Sequence, residues 1–170
     1  SLLVFSFKMA DFIFFDCKIP HMHNDEYWMK IALKEASLAM KENEIPVGAV
    51  IVQNGKLIAK AHNQSINNND PTAHAEIQVI RQAGIRLNNY RLKGTSLYVT
   101  LEPCAMCFGA LVHARVGKIF FGAKDPKTGV CGTAENFTNL NSFNHKIEIK
   151  SKLLDKECSK LLKSFFMSKR

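Results

Sequence analysis

The chain has too few cysteines, too unevenly placed, for a disulfide framework: there are five, and only Cys104 and Cys107 lie close together. A reducing, cytoplasmic setting with a metal site is the expectation. There is no second Cys-x-x-Cys, so two such motifs cannot close a structural zinc site between them. Uncharged apolar runs are also short. The first 21 residues, SLLVFSFKMADFIFFDCKIPH, are strongly apolar, but Lys8, Asp11 and Asp16 interrupt them. A membrane span, which needs about 20 nearly uncharged residues, is excluded there. Residues 1–21 are read as an N-terminal extension or a start-site artefact ahead of one domain over residues 22–170. Repeats and low-complexity tracts are missing apart from Asn67-Asn68-Asn69. Acidic residues are scarce beside basic ones, 15 against 23, which gives a net charge of +8. Residues 146–170 alone carry eight Lys/Arg against three Asp/Glu. That balance suits a polyanionic partner, and it equally suits a solvated, lysine-rich helix face.

What remains is a globular pattern, long enough at 170 residues for one buried core. Over residues 25–42, Trp28, Ile31, Ala32, Ala36, Ala39 and Met40 recur at three- and four-residue spacing, which predicts an amphipathic helix ended by Pro46. VGAVIV, QNGK and LIAKAHN then predict a hairpin, with Asn54-Gly55 supplying the positive φ angles of a two-residue turn. A second helix is expected over about residues 72–83, capped by Asp70 or Thr72 and closed by Gly84. SLYVTL predicts a third strand, and Pro103 opens an apolar helix through about Ala114. VGKIFFG and KIEIKS predict strands four and five, and a last helix spans about residues 153–167. This order predicts an α/β fold: three layers, α/β/α, around a five-stranded mixed sheet. The 24 or so residues between strands four and five exceed a hairpin loop, so those two strands are expected to be parallel.

Chemistry concentrates at two helix starts. Cys104 and Cys107, spaced i, i+3 just after Pro103, present both sulfurs on one side, where unpaired N–H groups favour thiolates. Catalytic zinc takes three protein ligands and leaves a position for water. His74, in DPTAHAEIQVI at the other helix start, is the candidate third ligand. Alone, such a histidine caps a helix or faces solvent, and a single Cys-x-x-Cys serves structural knuckles and redox pairs. Together the two elements point to one metal, to which His113, His145, Cys131 or Cys158 could in principle add a fourth ligand. Glu76 lies about 200° around an ideal helix from His74, so it is no second ligand from that turn. It can instead take a proton from a metal-activated water.

These residues carry a resemblance. HAE followed by PCAMC is similar to the signature of the zinc-dependent nucleobase deaminases. From about Glu26 onward, EYWMKIALKEA, EIPVGAVIV, LYVTLEPCAMCFGALVHARV, FGAKDPKTGVCG and NHKIEI closely resemble the TadA-type tRNA adenosine deaminases. The resemblance implies a cytidine-deaminase-like fold and one zinc ion per subunit, held by His74, Cys104 and Cys107. It also implies Glu76 as proton shuttle in the hydrolytic conversion of wobble adenosine to inosine. By the same likeness Asn63 contacts the flipped-out nucleoside, and Glu44, Asp125, Asn144 and His145 fall on segments lining an anticodon-loop groove. The partner it implies is tRNA, tRNA-Arg with an ACG anticodon, bound by a homodimer whose groove crosses the subunit interface. Phe108 departs from the pattern, being bulkier than the small residue expected there, which bears on nearby packing.

RNA readers favour unpaired loops, where extruding a base costs least, and Phe165 and Phe166 among Lys163, Lys169 and Arg170 suit either base stacking or core packing. The main alternative is a zinc deaminase of a free base or nucleoside, guanine or cytosine. Many free-cytidine deaminases carry Cys where His74 stands. A non-catalytic, zinc-stabilised RNA-binding module would need neither Glu76 nor an open ligand position.

Overall fold

A computed structural model describes residues 23–169; the reading of residues 1–21 lies outside them. The chain runs α1 (Asp25–Lys41), β1 (Gly48–Gln53), β2 (Lys56–His62), α2 (Ala75–Leu87), β3 (Thr95–Leu101), α3 (Ala105–His113), β4 (Lys118–Ala123), β5 (Glu148–Lys150) and α4 (Asp155–Ser168). This is the element order expected from the sequence. The five strands form one mixed sheet in the order β2-β1-β3-β4-β5. β1 is antiparallel to β2 and to β3, whereas β3, β4 and β5 run parallel. Asn54 and Gly55 turn the hairpin with φ of 50° and 70°, values that Asn and Gly tolerate and most residues avoid.

Side chains alternate across the sheet with period two, and both faces are apolar. Ala49, Ile51, Leu97, Val99, Ile119 and Phe121 meet Val79, Ala83 and Leu111 in the core beneath α2 and α3. Val50, Val52, Tyr98 and Phe120 meet Trp28, Met29, Ala32 and Cys158 in the core beneath α1 and α4. Helices therefore cover both faces, and the three-layer expectation holds. No described helix is long and apolar enough to cross a membrane.

Helix α2 departs from its expected limits. Asp70 does not cap it; its Oδ1 accepts the Thr72 N–H at 2.8 Å and the Thr72 hydroxyl at 2.7 Å, closing a turn before the helix. The helix starts at Ala75 with His74 at the N-cap position. Gly84 lies inside it, and Asn88, at φ 47°, ends it in the left-handed conformation. The apolar stripe of Ile80, Ala83 and Leu87 packs on the sheet, and that burial outweighs the helix penalty of one glycine, about 1 kcal/mol.

Candidate zinc centre and active site

Because β2 and β3 run in the same direction, their C-terminal ends share one edge of the sheet, and each leads into a helix there. His74 is the N-cap residue of α2, and Cys104 that of α3, both in extended conformation with no side-chain cap bond. Their side chains are thus free to face each other. His74 Nδ1 lies 3.8 Å from Cys104 Sγ and 3.5 Å from Cys107 Sγ. All three donor atoms fall within 4.8 Å of one another. Tetrahedral zinc, with Zn–S of about 2.3 Å and Zn–N of about 2.0–2.1 Å, places N and S donors about 3.6 Å apart. The donor set and the spacing both fit this ion. Among the described residues, His113, His145, Cys131 and Cys158 do not join the cluster, so three protein ligands leave a position open.

The protons of the site report the same crowding. The Cys107 thiol donating to Cys104 holds the Cys104 thiol down at about 4, and Cys107 itself is pushed up by that bond and by burial. His74 is raised by its hydrogen bond with Cys104. A divalent cation bound among these groups would displace the protons they share. Glu76, in the first turn of α2 and 4% exposed, is lifted to about 7 by burial. That value suits a carboxylate which both accepts and returns a proton near neutrality.

Asn63, the residue after β2, fixes the geometry. Its Oδ1 accepts the Ala75 N–H at 2.8 Å, so it caps α2 from outside the helix and leaves its Nδ2 group as a donor. Glu44 is buried, and its Oε1 accepts the N–H groups of Ile66 and Asn67, both at 2.8 Å, which ties down the loop leading to His74. Asp125 stands beyond β4 on the same edge, its carboxylate accepting from Lys127 N, Thr128 N and the Thr128 hydroxyl. Asn144 and His145 stand at the opposite edge. There the Asn144 carbonyl accepts from Arg115, and His145 Nε2 lies 2.7 Å from the Val116 carbonyl.

A groove of about 720 Å³ opens beyond the C-terminal ends of β3 and β4, with Lys124, Lys127 and Lys169 among apolar Leu101, Leu162 and Phe166. Of the two phenylalanines near the end of α4, Phe165 is buried at 6% exposure, and Phe166, at 50%, lines the groove. Phe108 is buried, with its ring edge-on to Phe137 at 6.4 Å and Phe143 at 5.7 Å. Its bulk joins α3 to the loop after β4. Glu102 was not singled out from the sequence; the available signal was a carboxylate closing an apolar strand, in LYVTLEPC.

The description "cytidine and deoxycytidylate deaminase zinc-binding region" matches residues 22–123. The tRNA-specific adenosine deaminase of Bacillus subtilis (strain 168) is 48% identical over 88% of this chain and 92% of its own length. The chain belongs to the tRNA-specific adenosine deaminase family. This deaminase is also similar to a solved structure from work on A-to-I editing by tRNA:A34 deaminases at the wobble position of transfer RNA. There the TM-score is 0.77 and the identity 41%, over 80% of this chain and 99% of that one. A guanine deaminase structure from Bacillus subtilis is similar with a TM-score of 0.59 and 34% identity, over 74% of this chain and 83% of that one. The zinc-binding region thus contains all three ligands and Glu76.

Proposed function

We propose that this chain is a zinc-dependent hydrolase that deaminates adenosine to inosine at the wobble position of tRNA. The observation carrying the proposal is that His74, Cys104 and Cys107 surround one point with Glu76 beside it, in a chain 48% identical to a tRNA-specific adenosine deaminase. A zinc ion bound there supplies the Lewis acidity that makes water nucleophilic near neutral pH. Glu76 takes the proton of the attacking water, delivers it to the purine ring, and then serves departure of the C6 amine. Water and the adenine amidine carbon thereby give a C6 carbonyl and ammonia. Asn63, with its Oδ1 held by Ala75, offers Nδ2 to the nucleoside. The free-base alternative rests on a guanine deaminase that is less similar in sequence and in structure.

We infer a homodimer for a geometric reason. Glu44, Asn63 and Asp125 stand at the zinc edge of the sheet, and Asn144 and His145 at the far edge. One RNA groove includes both sets only where a second subunit brings its far edge to the site. Glu44 then acts through the loop that it holds. The expected substrate is the anticodon loop of tRNA-Arg with an ACG anticodon, in the cytoplasm. The test is to incubate that transcript with zinc-loaded protein and reverse-transcribe it. Adenosine should read as guanosine at the wobble position. Unaltered RNA together with turnover of free guanine would replace this reading with the free-base one.

A further inference from the structure

Glu102 is a buried carboxylate, and no ion pair engages it among the described residues. Its charge is held by backbone N–H groups. Oε1 accepts from Cys131 at 2.9 Å and from Thr133 at 3.1 Å, and Oε2 accepts from Asp125 at 3.2 Å. All three donors belong to the segment that follows β4. Hydrogen bonds from N–H groups to a buried carboxylate are among the stronger ones in a protein, because the acceptor is charged and water is excluded. The same segment meets the turn that carries Cys104: Val130 N–H donates to the Pro103 carbonyl at 3.1 Å, and Gly129 forms a backbone bridge with Cys104. Gly129 also passes so close that a Cβ there would lie 2.6 Å from Glu102 Cδ and 2.7 Å from its Oε2. On its outer side the segment carries Asp125, Pro126, Lys127 and Thr128, which wall the 720 Å³ groove.

We propose that Glu102 is a positioning residue: it locks residues 125–133 to the Cys104 end of α3 and so sets the wall against which the RNA flanking the target base is held. The wall and the ligand helix then share one anchor two residues from Cys104. A displaced Asp125 shifts the groove while leaving His74, Cys104, Cys107 and Glu76 where they are. The RNA half of this inference rests on the function proposed above; the tether half does not.

Glu102→Gln tests it, since an amide turned to keep its oxygen toward Cys131 and Thr133 places N–H₂ against the Asp125 N–H. Hydrogen exchange at Asp125 should speed up at least about tenfold, with Cys131 and Thr133 unchanged. The KM for the tRNA substrate should rise about tenfold, equivalent to 1.4 kcal/mol. At the same time kcat should stay within about twofold, and zinc at one per chain. Glu102→Asp, which withdraws the carboxylate by one methylene, should raise KM in the same way and serves if Glu102→Gln does not fold. Unchanged Asp125 exchange and unchanged KM would overturn the proposal. Loss of zinc and of kcat at constant KM would also overturn it, by reducing Glu102 to a structural part. If the wild-type protein deaminates free guanine and not RNA, the tRNA reading fails and takes the RNA half with it. Amide exchange in Glu102→Gln still decides the tether.

Discussion

Asn63 Oδ1 accepts the Ala75 N–H at 2.8 Å, so the residue that follows β2 is bonded to the first turn of α2 at the residue between His74 and Glu76. One amide group thus caps the helix with its oxygen, and under the proposed function its nitrogen is kept for the substrate. The two tasks separate by mutation. Asn63→Asp retains the acceptor at a helix N-terminus and should unfold near the wild-type temperature, with RNA deamination reduced at least about a hundredfold. Asn63→Ala should lose activity and also about 1 kcal/mol of stability, as for removal of a helix cap. Thermal unfolding beside an inosine assay separates them.

Glu76 is set apart from the ligands: it sits in the first turn of α2 and is not among the three donors that converge on one point. Glu76→Gln keeps the volume and removes the proton acceptor. Deamination should fall by about a hundredfold or more, with one zinc per chain still measured by metal analysis. An active variant would contradict the shuttle role.

The ligand assignment has its own check. Cys104→Ser weakens one of three bonds to the metal, so zinc should be lost on mild chelation and activity with it. Full zinc occupancy and full activity in that variant would be inconsistent with the three-ligand site.

Phe108 fills the space between α3 and the loop after β4 through Phe137 and Phe143. Phe108→Ala should destabilise the fold by roughly 3–5 kcal/mol, in the range for buried aromatic truncations. Denaturant unfolding measures it.

Glu35 gives a pH dependence. Burial would raise its carboxyl, but hydrogen bonds and charge from Lys60 at 2.9 Å and His62 at 3.0 Å outweigh burial and hold it below the ordinary 4.5. A depressed carboxyl stabilises the fold above its unfolded-state value and loses that contribution as pH falls through the folded one. Glu35→Gln should therefore unfold roughly 4–8 °C lower at pH 7, corresponding to about 2 kcal/mol. The gap should close as pH drops below 4.5.

Element order, sheet composition and the parallel β4/β5 pair were legible in the sequence because β1, β3 and β4 are apolar on both faces, the flanking β2 and β5 alternate apolar with charged residues, and the helices carry a period-3.6 stripe. The zinc ligands were legible because Cys104 and Cys107 share one helix turn and His74 opens another. Less legible was what bonds across long separations. Asn63 capping α2 and Glu102 holding residues 125–133 are side chains bonded to distant N–H groups, and no local pattern announces such partners. The α2 start was misplaced by a local competition instead: Asp70 reads as a cap, yet its carboxylate is taken by Thr72 two residues on. Asn88 ended α2 where Gly84 was expected to, since either residue tolerates a left-handed φ and only packing decides which one adopts it.

Under the proposed function these residues act on adenosine carried by RNA. The most direct measurement is the initial rate of ammonia release by zinc-loaded protein from an anticodon stem-loop bearing wobble adenosine, beside equal concentrations of free adenosine, guanine and cytosine. The RNA alone should be turned over, with inosine as its product. Release from free guanine with the stem-loop unchanged would contradict the account.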